Sequence, residues 1–158
     1  MHSRIIELGN APILPDDRMG ECSVPEWFYH SIADYTDTET DRDEDLKWFL
    51  EIVAHIVDVA EDGESFTFKP NAKKKYFHRQ YYAFLDKARE LTGISIEAFC
   101  AETPYDIGMV MYKLNEAYQD KFSFYIYYQD KLKTLDEWIR ETDLSGPFYF
   151  GGTIDYHF

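Results

Sequence analysis

The chain has 158 residues, 45% of them hydrophobic and 18% aromatic, which is enough apolar mass for one packed domain and too much for a disordered acidic tail. Its formal net charge of −14 repels nucleic acid and anionic membranes and attracts basic protein surfaces. The excess is local: residues 1–63 hold 16 acids against 4 bases, and the aromatic-rich residues 64–158 hold 14 against 12.

"SRIIELG" (3–9) predicts a first strand, followed by a Pro/Asp loop. In "SVPEWFYHSIADY", Ser23 and Glu26 fit a capping box with Pro25 early in the helix, which predicts a helix over 24–35. From Asp43 to Ala54, the spacing of Leu46, Phe49, Leu50 and Val53 makes one helical stripe. "HIVDVAEDGESFTFKP" then alternates about an Asp62-Gly63 turn; it reads as a hairpin, with a helix running on to Ala60 as the alternative. Asn71 opens a long helix to about Leu91, with Gly93 as its C′ residue, and a short helix follows at 95–101.

Thr103, Pro104 and Asp106 start a helix to about Gln119. "FSFYIYY" (122–128) predicts a strand with Phe122, Phe124, Ile126 and Tyr128 on one face. Thr134 caps the helix "LDEWIRE", and the tail "PFYFGGTIDYHF" is either a hairpin about Gly151-Gly152 or one strand with a bulge. The sum is an α+β fold in a single domain, several helices packed on a small, mainly antiparallel sheet.

"MHSRIIELGN" has no basic region followed by an apolar one, and no stretch nears the roughly 18 apolar residues a membrane helix needs, so a cytoplasmic protein is expected. Cys22 and Cys100 lack metal-ligand spacing and are expected to be thiols, Cys100 within the core.

Between residues 34 and 45 the chain places seven carboxylates and one arginine in twelve positions. Carboxylates in the first turn of a helix interact favourably with its dipole by about 0.3 to 1 kcal/mol each, which accounts for Asp43, Glu44 and Asp45. It leaves Asp34, Asp37, Glu39 and Asp41 unexplained. Asp41, Asp43 and Asp45 have the first three spacings of a calcium loop, but Leu46 stands where the turn needs glycine and Ile52 where it needs a bidentate glutamate. If 37–45 is extended, Asp37, Glu39, Asp41, Asp43 and Asp45 share one face at about 6.6 to 6.8 Å intervals. Such a row mimics spaced phosphates and suits a Lys/Arg groove built for nucleic acid.

Other chemistry is weaker. Glu51, His55 and Asp58 share a helix face if the helix continues, a triad that would serve a metal-dependent hydrolase, yet no HxxxH or HExxH spacing accompanies it. Asp45-Leu46-Lys47 matches the Asp-x-Lys triplet of a restriction-type nuclease but precedes a helical stripe. "NAKKKYFHRQYYAF" is the basic counterweight, with Tyr76, Phe77, Tyr81, Tyr82 and Phe84 too many for one buried stripe. Phosphate loops, a GxSxG elbow and a Cys/His pair are absent from the sequence, so a non-enzymatic role without cofactor or metal is expected.

In size, in acid concentrated within "DYTDTETDRDED", and in its 13 Tyr and 12 Phe, the chain resembles the small acidic proteins of phages and mobile elements, including anti-CRISPR and antirestriction inhibitors. It differs from the elongated antirestriction DNA mimics in that its carboxylates are concentrated. The resemblance implies an inhibitor that occludes the basic DNA-binding cleft of a defence nuclease or nuclease–guide RNA complex in a bacterial cytoplasm, without binding nucleic acid itself. Asp34, Asp37, Glu39, Asp41, Asp43, Glu44 and Asp45 would form the charged strip, and Trp27, Tyr29 and Tyr35 the nearby anchors. An immunity protein that neutralises a cognate toxin nuclease would offer the same chemistry.

Overall fold

The run "RIIEL" lies in strand β1 (His2–Gly9), where Ile5, Ile6 and Leu8 are all buried. Successive apolar residues are buried on a strand only where both faces of its sheet are covered. The computed structural model describes residues 1–101 and 105–158, residue 105 by its backbone alone. Among them are seven strands and six helices, an α+β fold with a mixed, mainly antiparallel sheet.

The sheet runs β3 (Val57–Val59), β4 (Ser65–Phe68), β7 (Phe148–His157), β1, β5 (Tyr125–Tyr128), β6 (Lys131–Thr134), with only β1 and β5 parallel. β7 pairs with β1 along one edge; β4 takes the start of its other edge and β2 (Tyr35–Asp37) the end. The backbone divides into two compact units, Met1–Lys73 with Lys121–Phe158, and Lys74–Asp120. That division does not follow the change of charge at residue 63.

In the first unit, one sheet face packs Ile5, Tyr125, Ile154 and Tyr156 against Met19, Val24, Phe28 and Ala33, so α1 (Glu26–Ser31) and the preceding loop cover it. The other face carries Phe66, Phe124 and Phe150, which meet Phe49 of α2 (Arg42–Val53) at ring distances of 6.4, 5.8 and 6.2 Å. Trp138 of α6 (Leu135–Glu141) closes the same face against Phe148 at 5.1 Å and Phe68 at 5.9 Å. Thr134 caps α6 in a capping box with Glu137, as expected.

The tail is one strand with a bulge. Ile6 pairs with Thr153 but Leu8 with Phe150, so Gly151 and Gly152 together face Glu7. The buried Glu7 carboxylate accepts from Gly152 N at 2.7 Å and from Met19 N at 2.9 Å, tying the loop before α1 to the sheet. A Cβ on Gly151 would lie 2.6 Å from Glu7 Cγ, so only glycine fits beneath that side chain.

The second unit holds α3 (Ala72–Thr92, apart from its first two residues), α4 (Ile96–Phe99) and α5 (Tyr105–Tyr118). Gln80 Nε2 donates to Tyr118 O at 3.0 Å, and the Phe84 and Tyr118 rings are 6.1 Å apart, which brings the end of α5 beside the middle of α3. None of this unit's described residues is fully buried.

Several expectations need correction. The helix expected over 24–35 is only Glu26–Ser31; Pro25 caps it without a side-chain bond, the Ser23–Glu26 box does not form, and Tyr35 already belongs to β2. The hairpin expected after α2 is present, with Val57 opposite Phe68 and Val59 opposite Phe66, and the helix does not run on to Ala60. Gly93 follows α3 without positive φ, whereas Asn71 before it has φ 62°. The expected helix start at Thr103 and Pro104 lies outside the described residues. Phe122 precedes β5 and stacks on Phe158 at 4.6 Å, away from Phe124 and Ile126, because the strand begins only at Tyr125. Strand β6 was not expected; it follows a two-residue turn in which Gln129 and Asp130 both have positive φ, 51° and 58°. Cys100 is exposed; it ends α4, a four-residue helix with no buried residue.

Candidate functional site: the acidic face of the first unit

The residues from 34 to 45 are not one extended row. β2 ends at Asp37, whose Oδ1 accepts from Glu39 N at 2.8 Å in a turn, and α2 begins at Arg42. Asp41 is the N-cap of α2, its carboxylate accepting from Asp43 N and Glu44 N, both at 3.1 Å. The strand, the turn and the cap thus fix the backbone through the acid run, and Asp34, Asp37, Glu39, Asp41, Asp43 and Glu44 are all exposed.

Asp45 is the exception and a correction. It is 4% exposed and ion-paired with Arg4, which also pairs with Asp155 and lies 5.5 Å above the Trp48 ring. One turn into α2, its side chain points to the sheet with Leu46 and Phe49, so it serves the fold. Arg4 stands opposite Asp155 on β7, and Asp155 opposite Asp37 on β2. Arg4 therefore pairs with the inner two acids, Asp155 also lying 2.8 Å from His2 Nδ1, and Asp37 is left at the rim.

The one arginine within the run also turns inward. Arg42 donates to Glu64 Oε2 at 2.6 Å and to Gly151 O at 2.7 Å, with Asp43 Oδ1 3.6 Å away. Its hydrogen bond holds the Glu64 carboxyl below the ordinary glutamate range. Lys73 donates to Arg140 O at 2.8 Å and not to the run, while Lys74 and Lys75 belong to the second unit.

From Asp43 the acidic surface continues into a groove of about 570 Å³ between α2 and the β3–β4 turn. Leu46, Leu50 and Ala54 supply its apolar lining, and Asp43, Glu51, Asp62 and Glu64 outnumber Arg42 and Lys47. Glu51 lies on α2 two turns beyond Asp43, whereas Asp62 and Glu64 come from the β3–β4 turn, so no local pattern joined those two to the run.

Of the aromatic anchors, Trp27 and Tyr35 are 46% and 49% exposed. Tyr35 stacks on His157 at 5.2 Å, beside the 3.3 Å pair of His157 with Asp34. Tyr29 is less free: its hydroxyl lies 2.8 Å from Thr36 Oγ1, and its ring packs on the core. Glu51, His55 and Asp58 do not share a helix face, because α2 ends at Val53 and Asp58 lies on β3, 3.6 Å from Lys69. Among the described residues no group of three or more His, Cys, Asp or Glu side chains could hold a metal ion, and no helix is long and apolar enough to cross a membrane. No known protein family, curated protein or solved structure matches the chain.

Proposed function

We propose that this protein is an acidic inhibitor that occupies the basic nucleic-acid cleft of a bacterial defence nuclease, a guide-RNA-loaded effector or a restriction enzyme, in the host cytoplasm. The observation that carries the reading is the set of six exposed carboxylates between Asp34 and Glu44 on a backbone fixed by β2, an Asx turn and a helix cap. Two neighbouring arginines are committed elsewhere, Arg4 to Asp45 and Asp155, Arg42 to Glu64 and Gly151 O. The surface charge is thus left for a partner. Carboxylates held in place lose little further entropy on meeting a cationic groove, and their field raises the association rate. Tyr35, within the run, and the exposed Trp27 of α1 would supply the apolar contact that slows dissociation.

The test is DNA cleavage by purified defence nucleases in the presence of stoichiometric protein. Inhibition that excess DNA relieves, and that Asp37→Asn/Glu39→Gln/Asp43→Asn/Glu44→Gln abolishes, supports the proposal. Inhibition equal in wild type and variant, or none with any nuclease of either class, refutes it.

A further inference from the structure

The second unit presents apolar residues with a regular spacing that its own helices leave short of full burial. In α3, Phe77, Tyr81, Phe84, Ala88 and Leu91 recur at intervals of four and three; in α5, Ile107, Met111, Leu114 and Tyr118 do the same. That is the period of a coiled-coil seam. None of the nine is fully buried, and Tyr81, Met111 and Tyr118 are 55%, 58% and 53% exposed. Where α3 ends and α5 begins, Leu91, Ile94, Ile96, Phe99, Ile107 and Met111 line an apolar cleft of about 460 Å³, with Ile96 and Phe99 among the most exposed large apolar residues of the chain.

We propose that this face is the interface for a second copy of the chain, the two α3–α5 pairs meeting about a twofold axis to form a four-helix bundle. The inference stands apart from the inhibitor reading. Three observations select a second copy. Packed on each other, the two helices still leave Tyr81, Met111 and Tyr118 more than half exposed, whereas a core shared by four helices would cover them. Charge permits self-pairing: Lys74–Asp120 holds seven acids and six bases, so two copies of this unit carry almost no net charge to oppose their meeting. The area also suffices, since five exposed side chains at about 100 Å² each, with their half-buried neighbours, offer roughly 700 Å² per copy, near the ~800 Å² of a standard interface.

The experiment is sedimentation equilibrium of the full chain at micromolar concentrations. All three tryptophans, Trp27, Trp48 and Trp138, lie in the first unit, so their emission reports its integrity whatever happens in the second. A mass of twice 18.7 kDa is expected for wild type, with Met111→Glu weakening the dimer roughly thirtyfold or more while emission and helical circular dichroism are kept. Leu91→Ala, which preserves helix propensity, should weaken it less, and Tyr82→Glu, off the seam, should leave it intact. A single-copy mass for wild type, or a dimer indifferent to both Met111→Glu and Leu91→Ala, overturns the proposal; the first result would assign the cleft to a different protein.

Discussion

Met1–Lys73 with Lys121–Phe158 contains every fully buried side chain among the described residues and 23 of the 30 acids; Lys74–Asp120 contains no such side chain and seven of the acids. Acid is concentrated where the core is. Like charges on one face oppose compaction, and they are carried by the unit in which Phe49, Trp138, Phe150 and Tyr156 are fully buried. The second unit has little core and little net charge to oppose. One region is thus stabilised from within and charged outside, while the other is near neutral and left with apolar surface for a neighbour to cover.

The contrast breaks most readily at the aromatics. Phe49→Ala or Trp138→Ala should cost about 3 to 5 kcal/mol in urea denaturation, whereas the half-buried Phe84→Ala should cost no more than about 2. Equal costs would mean that the second unit has a core of its own. Gly151→Ala should cost about 1 to 3 kcal/mol because its methyl group overlaps Glu7. Glu7→Ala leaves the amides of Gly152 and Met19 without their acceptor, at about 1 to 3 kcal/mol each. In the double variant the overlap is gone, so the two costs should fall well short of adding.

Within the acid run the same division is sharpened by comparing neighbours. Asp45→Ala should destabilise by roughly 2 kcal/mol, since it removes one of the two carboxylates paired with Arg4. Asp43→Ala, with its side chain 92% exposed, should stay within about 0.5 kcal/mol. The smallest effect is the pH dependence of Glu64. Its carboxyl is depressed by Arg42, so the pair's contribution is present above the unfolded glutamate value and is lost as pH falls through the lower folded value. With Glu64 54% exposed, solvent screening keeps that loss to about 0.5 kcal/mol or less, and Glu64→Gln should remove it from the acid limb of a stability–pH curve.

Periodicity made the helices legible: the stripe Leu46, Phe49 and Val53, the Thr134 capping box and the long helix from residue 72 lie where the spacing placed them. The short strands were less readable. β2 is three residues long and owes its pairing to the end of β7, 118 or more positions away, while β6 reads "KLKT" and depends on a positive-φ turn at Gln129-Asp130 that no glycine announces. In the candidate site the density of acid was visible, but its sorting was not. Asp45 lies on the buried side of α2 with Leu46 and Phe49, where its charge is met by Arg4, 41 positions earlier, and the groove gains Asp62 and Glu64 only through the β3–β4 hairpin.

The most direct measurement is the salt dependence of the dissociation constant between this protein and a nuclease it inhibits, for wild type and for Asp37→Asn/Glu39→Gln/Asp43→Asn/Glu44→Gln. A steep weakening with salt for wild type, and a much shallower slope with weaker binding for the variant at unchanged stability, is the expected result. Identical slopes and affinities would contradict the assignment of the 34–44 surface as the contact that fills a cationic cleft.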